Sequence, residues 1–241
     1  MTPVSTPEAL FGALLADAPS RPFVTFYDEA TGERSELSTK SLANWVAKTH
    51  FLLTDELGLG LGDLAQVALP AHWISVPALL GALTAGLELG TSPLGAAVAF
   101  VEPATVAAAD GVPDVYCIAP ASAAFGLRDA VPDGAQDFVL AVRPQGDSWA
   151  AVRPPATAAD RCWSAASRGE VVAAARDRAA ELGLVAGARM LTDRTWTGPS
   201  DWLDTLIVPL VLGGSVVYVA NAPSESVLER RADQERAVRL P

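Results

Sequence analysis

The sequence predicts an α/β fold: a layered, mostly parallel sheet with flanking helices. Three observations predict it. Short β-branched and aromatic runs alternate with stretches of helical period along most of the chain. Helix-capping signatures stand at the head of the helical stretches. The composition also suits a core, with 50% of 241 residues hydrophobic and 19% charged, enough for one sizeable core or two small lobes.

The elements follow in order. Thr6-Pro7-Glu8 sets a capping hydroxyl before a proline at the first helical position. Leu10, Leu14 and Leu15 then mark one apolar face. Phe23 to Tyr27 reads as a strand, and Arg34 to Leu37 as the arm that pairs back on it after a turn at Asp28 to Gly32. Ser38 caps a long amphipathic helix carrying Leu42, Trp45, Val46, Thr49, Leu52, Leu53 and Leu57, with Gly58 at its end. A strand over Ala65 to Leu69 and a helix from about Trp73 to Ala85, stopped by Gly86, come next. Val98 to Val101, Val115 to Ala119 and Phe138 to Val142 read as further strands. Ser167-Arg168-Gly169-Glu170 is a capping box before a helix over Val171 to Leu182. Met190-Leu191 ends a strand, Asp201 to Leu212 is a helix stopped by Gly213-Gly214, and Val216 to Ala220 is a strand. A charged helix over Ser224 to Arg236 closes the chain.

The pattern breaks between 143 and 164, where Pro144, Pro154 and Pro155 sit among small and polar residues. The chain thus reads as one domain over 1–241, or as two lobes, 1–142 and 165–241, joined by a linker over 143–164.

Composition excludes several functions. The net charge is −11, from 28 acidic and 17 basic side chains, the wrong sign for binding a polyanion such as nucleic acid. The N-terminal segment has no basic residue ahead of an apolar run, so it is no secretory signal. Val76 to Val101, the most apolar stretch, is broken by Pro77, Glu88 and Pro93 and does not read as a membrane span. A cytoplasmic protein is expected. Cys117 and Cys162 lie far apart and form no zinc-binding pattern; two buried thiols are expected. Gly60-Leu61-Gly62-Asp63-Leu64-Ala65 fits a dinucleotide fingerprint on paper, but it follows a helix and precedes a strand, so it is a turn.

Three segments carry a resemblance. The first joins the helix before Glu56-Leu57-Gly58-Leu59 to Gly62-Asp63 and Val67-Ala68-Leu69-Pro70. The second is Leu79-Leu80-Gly81-Ala82-Leu83-Thr84-Ala85-Gly86, leading to Ser92-Pro93. The third runs from Trp202 to Val219 around Pro209-Leu210-Val211-Leu212-Gly213-Gly214. In this order they resemble successive parts of the large N-terminal domain of adenylate-forming enzymes: acyl-CoA synthetases, luciferases and peptide-synthetase adenylation domains. The resemblance implies a shortened, AMP-binding-like domain akin to an uncharacterised group at the edge of that superfamily.

It also implies that the adenylating machinery is missing. The superfamily's phosphate loop is rich in glycine, serine and threonine and ends near a lysine. The corresponding place here runs from Arg153 to Ser164 without glycine or lysine, and includes Pro154, Pro155 and Asp160. The only lysines are Lys40 and Lys48, and nothing can be assigned as the adenylating lysine or the magnesium-binding acid. No catalytic or metal-binding residue is therefore expected, and no cofactor beyond vestigial binding of ATP, AMP or acyl-CoA. Thr157, Arg161 and Ser164 are the residues that could still touch an anion. His72 stands at a strand-to-helix turn, where loops carry sites, and Trp73 and Trp196 stand at element boundaries where they could line a pocket; His50 is expected on its helix surface. The expectation is a pseudoenzyme that binds a ligand or a protein, with self-association or an unknown partner. The alternative is an enzyme of changed chemistry, or a fragment that completes an AMP-forming ligase with another chain.

Overall fold

The computed structural model describes residues 5–119, 125–127, 130–148 and 156–240. Two sheets are built. The first holds β1 (Pro22–Asp28), β2 (Glu33–Ser38), β10 (Arg189–Thr192), β11 (Ser215–Ala220) and β12 (Val238–Arg239), in the order β12-β10-β11-β1-β2. All its pairings are parallel except the β1–β2 hairpin. The second holds β3 (Leu64–Ala68), β4 (Glu88–Gly90), β5 (Val98–Val101), β6 (Asp114–Cys117), β7 (Gln136–Asp137), β8 (Arg161–Trp163) and β9 (Ala166–Ser167), in the order β7-β6-β5-β3-β4-β8-β9. Only β8–β9 is antiparallel there. The mostly parallel α/β class expected from the sequence is the one observed.

Helices α1 (Pro7–Asp17), α2 (Thr39–Phe51), α3 (Ser75–Ala85) and α5 (Arg168–Glu181) share one continuous core with the helical stretch from α6 (Pro199–Trp202) to α7 (Val208–Leu212) and with both sheets. The strands show the two-residue alternation this layering needs. Val216 and Tyr218 face that core, while Val217 and Val219 face a smaller cluster under α8 (Glu225–Glu235). Val98 and Phe100 likewise face inward, with Ala99 and Val101 on the other side.

Local chemistry explains the boundaries. The Thr6 hydroxyl accepts from the Ala9 N–H, Ser38 caps α2, and Ser167 and Glu170 complete a reciprocal capping box. Gly86 ends α3 in the left-handed region at φ 99°. Gly81 makes the α2–α3 contact close: a Cβ there would stand 2.4 Å from Thr49 Cβ. Gly81→Ala is expected to cost about 1–3 kcal/mol through overpacking, read as a lower urea midpoint with unchanged m-value.

Several sequence expectations are corrected. Phe138 to Val142 is not a strand but a short helix, α4 (Phe138–Val142), because the Asp137 carboxylate caps the Leu140 N–H at 3.1 Å and a five-residue apolar run fits either state. His50 is half-buried rather than on the helix surface, its pKa lowered by that burial. The 143–164 segment is not wholly loop, since its end forms β8; Arg153, Pro154 and Pro155 lie outside the described residues. Strands from either side of it pair directly, β1 with β11, and β8 itself pairs with β4. Both cysteines are buried and free, as expected. No helix among the described residues is long and apolar enough to cross a membrane.

Candidate functional site: a cleft at the carboxyl ends of the strands

In the second sheet, α3 carries the chain from β3 to β4 on one side, while β5 leads to β6 on the other. The carboxyl ends of β3 and β5 therefore flank a topological switch point, where open α/β sheets characteristically form a ligand crevice. The first sheet brings the carboxyl ends of β1, β10 and β11 to the same place. Two adjoining cavities of about 680 and 290 Å³ result, sharing Phe26, Asp28, His72 and Glu102 in their walls. A third, of about 380 Å³, adjoins through Pro70, Glu102 and Thr195 and extends past Trp196 to Trp202.

Each functional side chain follows a strand end. Asp28 closes β1, accepts from Asn221 Nδ2 at 2.8 Å and the Ala30 N–H at 2.9 Å, and its pKa is lowered, chiefly by the Asn221 bond. Glu102 follows β5 and caps the 3-10 turn Pro103–Ala109; burial raises its pKa. Glu33 opens β2 and accepts from the Ser35 hydroxyl. Asp193 and Arg194 follow β10, and Arg194 donates to Asp204 at 2.8 Å. Asp204 also receives Arg178 at 3.0 and 3.2 Å, so it gathers two guanidinium groups.

His72 forms the floor. It is 1% exposed, with its ring centroid 4.1 Å from that of Phe26 and 5.7 Å from that of Trp73. Nδ1 accepts from the Ile74 N–H at 3.2 Å, which places the ring proton on Nε2. Nε2 has no hydrogen-bond partner and stands 3.9 Å from Glu33 Oε1. Burial drives the His72 pKa down to about 3, against the opposing pull of the Asp28 charge. The imidazole is thus neutral at physiological pH, a fixed donor rather than an acid or base.

The six residues singled out from the sequence fall into two places. His72 and Trp196 line the joined cavities. Trp73 packs behind His72 and against Trp45 at 5.9 Å, and is 6% exposed. Trp196 donates from Nε1 to the Thr205 hydroxyl at 2.8 Å. Thr157, Arg161 and Ser164 stand together at the β8–β9 edge of the second sheet. The Asp160 carboxylate accepts from both the N–H and the hydroxyl of Thr157, at 2.6 and 2.8 Å. Arg161 pairs with Glu88 at 3.2 Å. Ser164, with Ala165, makes the two-residue turn of the hairpin, both at positive φ (47° and 71°). The place assigned by resemblance to the phosphate loop thus ends in a tight hairpin without glycine, its Asp160 turned onto its own Thr157.

Sequence reasoning missed Asp28, Glu33, Glu102, Asp193 and Arg194. A usable signal existed: in a parallel α/β fold the residues just beyond each strand are the site candidates, and Asp28, Glu102 and Asp193 each end or follow a strand recognised from sequence. Among the described residues, no three or more His, Cys, Asp or Glu side chains are placed to hold a metal ion. Cys162 is fully buried and its thiol is pushed up by burial, and Cys117 is pushed up to about 11 for the same reason, so neither is a ready nucleophile.

Comparison with known proteins fits this geometry. No family model matches the chain. Among solved structures, acetoacetyl-CoA synthetase from Streptomyces lividans aligns with a TM-score of 0.77 at 18% identity, over 96% of this chain and 41% of that one. An acyl-CoA synthetase from Brucella canis aligns at 0.73 and 17%, over 91% and 44%. A benzoate CoA ligase from Burkholderia xenovorans aligns at 0.70 and 14%, over 96% and 48%. The fold is therefore that of part of the adenylate-forming acyl-CoA ligases, and the chain spans less than half the length of those three enzymes. A Mycobacterium tuberculosis protein described as "TIGR03089 family protein" is 35% identical over 248 residues, covering 98% of this chain and all of that one. With identity at that level over essentially the full length of both, the chain belongs to the TIGR03089 family.

Proposed function

We propose that the protein is a non-adenylating, ligand-binding member of the acyl-CoA synthetase-like fold, using the cleft at the strand ends. The observation that carries this reading is the contrast between the two candidate regions. The cleft is built, with a buried, unpartnered imidazole N–H in its floor. The stretch that should cradle phosphates ends in a two-residue turn with no glycine or lysine, and its acid faces its own backbone. Losing one preorganised charge-stabilising donor typically costs about 10²–10³ in rate; here the glycine loop and the lysine are lost together.

The test is ATP–pyrophosphate exchange with a panel of fatty, aromatic and short-chain acids. No exchange above the enzyme-free background is expected, and robust exchange with any acid would overturn the reading. A parallel thermal-shift titration with Mg-ATP, AMP, coenzyme A and a stable acyl-adenylate analogue calibrates binding. A ligand at about 100 times its Kd stabilises by about 2.7 kcal/mol, a rise of about 5–10 °C for a chain of this size.

A second reading, a fragment that completes an AMP-forming ligase with another chain, draws support from the 41–48% coverage of the three ligases above. It requires a co-purifying chain that carries a phosphate loop and lysine and restores exchange when added back.

A further inference from the structure

The strand-end cleft is acidic. Among the described residues of its two main cavities stand four carboxylates, Asp28, Glu33, Glu102 and Asp193, against one guanidinium, Arg194, which already donates to Asp204. Such a wall repels phosphate and carboxylate groups and attracts cations. Beneath it the surface turns apolar: Phe26, Pro70, Pro103 and Tyr218 line the two cavities.

The second observation is independent of the charge. His72 is 1% exposed, and its Nε2 has no hydrogen-bond partner although it lines both cavities. A buried N–H left unpaired costs free energy that a ligand acceptor can recover. Its neighbour Glu33, at 3.9 Å, is beyond hydrogen-bond reach.

We propose that this cleft binds a small organic cation: an ammonium group drawn to the wall lined by Asp28, Glu33 and Glu102, an apolar body against Phe26, and a hydroxyl or carbonyl oxygen that accepts from His72 Nε2–H. The inference deepens the ligand-binding reading above and rests on it. An organic ammonium is favoured over a metal ion because no metal-holding cluster occurs among the described residues. The Asp28 carboxylate is anchored for such a role by Asn221 and Ala30, and the Glu102 backbone is fixed by its bonds with Thr105.

The experiment compares three probes of one body and different charge, phenethylamine, phenethyl alcohol and phenylacetate, by isothermal titration at low and high salt. Phenethylamine is expected to bind at least about tenfold more tightly than phenylacetate, a difference of about 1.4 kcal/mol, with the margin shrinking at high salt. The double variant Asp28→Asn, Glu102→Gln should abolish the margin; both changes preserve the local capping geometry, so folding is retained. Adding a hydroxyl, as in 2-amino-1-phenylethanol, should tighten binding to the unsubstituted protein and give no gain in His72→Phe. Tighter binding of phenylacetate, or of the acyl-adenylate analogue, would overturn the cation inference while leaving a ligand-binding protein. Failure of every probe to bind a folded sample would overturn both.

Discussion

Arg168→Leu is expected to lower the unfolding free energy by about 3–5 kcal/mol, the largest effect of any single substitution considered. Arg168 is fully buried, and so is Glu8, whose Oε2 lies 2.9 Å from Arg168 Nη1. The guanidinium also donates to the Leu83 and Leu87 carbonyls, each at 2.9 Å. One side chain thus ties α1 to the end of α3 and the start of α5. Removing it leaves a carboxylate without its counter-charge in the core. Burial already raises the Glu8 pKa, and Arg168 is the largest of the influences that lower it. In the variant the folded pKa of Glu8 rises further above its unfolded value. Stability tied to the protonated acid is then fully present below the unfolded pKa and lost as pH rises through the folded one, so the deficit should shrink on acidification. Urea unfolding at pH 7 and pH 5 checks both statements. The double variant Glu8→Leu, Arg168→Leu should recover much of the loss, since a buried ion pair often exchanges for apolar side chains at little net cost. Single and double variants of equal stability would refute the coupling.

The second large effect is acid destabilisation through His72. The folded pKa is depressed to about 3, against about 6.5 in an unfolded chain. Between those values the unfolded chain binds the extra proton, so stability is complete above about pH 6.5 and falls as pH drops towards 3. From pH 7 to pH 4 the loss from this one group is about 3 kcal/mol. His72→Phe, which keeps a ring beside Phe26, should lack that component and also lose the unpartnered Nε2–H. Its stability curve should therefore be flatter in acid, crossing or exceeding that of the unsubstituted protein at pH 4. Parallel curves over this range would show that His72 is not held neutral by burial.

The parts of this fold visible in the sequence are those governed by local chemistry. Thr6-Pro7, Ser38, Ser167 with Glu170, and Gly86 announce helix ends because each satisfies orphan backbone groups within three or four residues. The long periodic helices and the β-branched runs of β1, β5 and β11 follow for the same reason. Strand β4 stayed hidden because three residues directly after a helix cap carry too little pattern, and its identity depends on pairing with β3 and β8. Phe138 to Val142 went wrong because a short apolar run is ambiguous and the preceding Asp137 decides it. His72 could be singled out from its place after a strand. The carboxylates around it could not, because Asp28, Glu33 and Glu102 come from different turns that only the order of strands in two sheets brings together.

The β1–β11 pairing has a consequence for biosynthesis. Val24 of β1 takes its parallel partner, Val216, from a segment made roughly 190 residues later. At about 5–20 residues per second, a ribosome needs roughly 10–40 s to deliver β11 after β1 emerges. Throughout that interval β1, with Phe23, Val24 and Phe26 destined for the core, has only its hairpin arm β2 as a strand partner. The open edge of that hairpin is then available to any other unpaired strand. Such an open edge is an aggregation liability, so slower synthesis of the last third is expected to lower soluble yield even where the finished protein is stable.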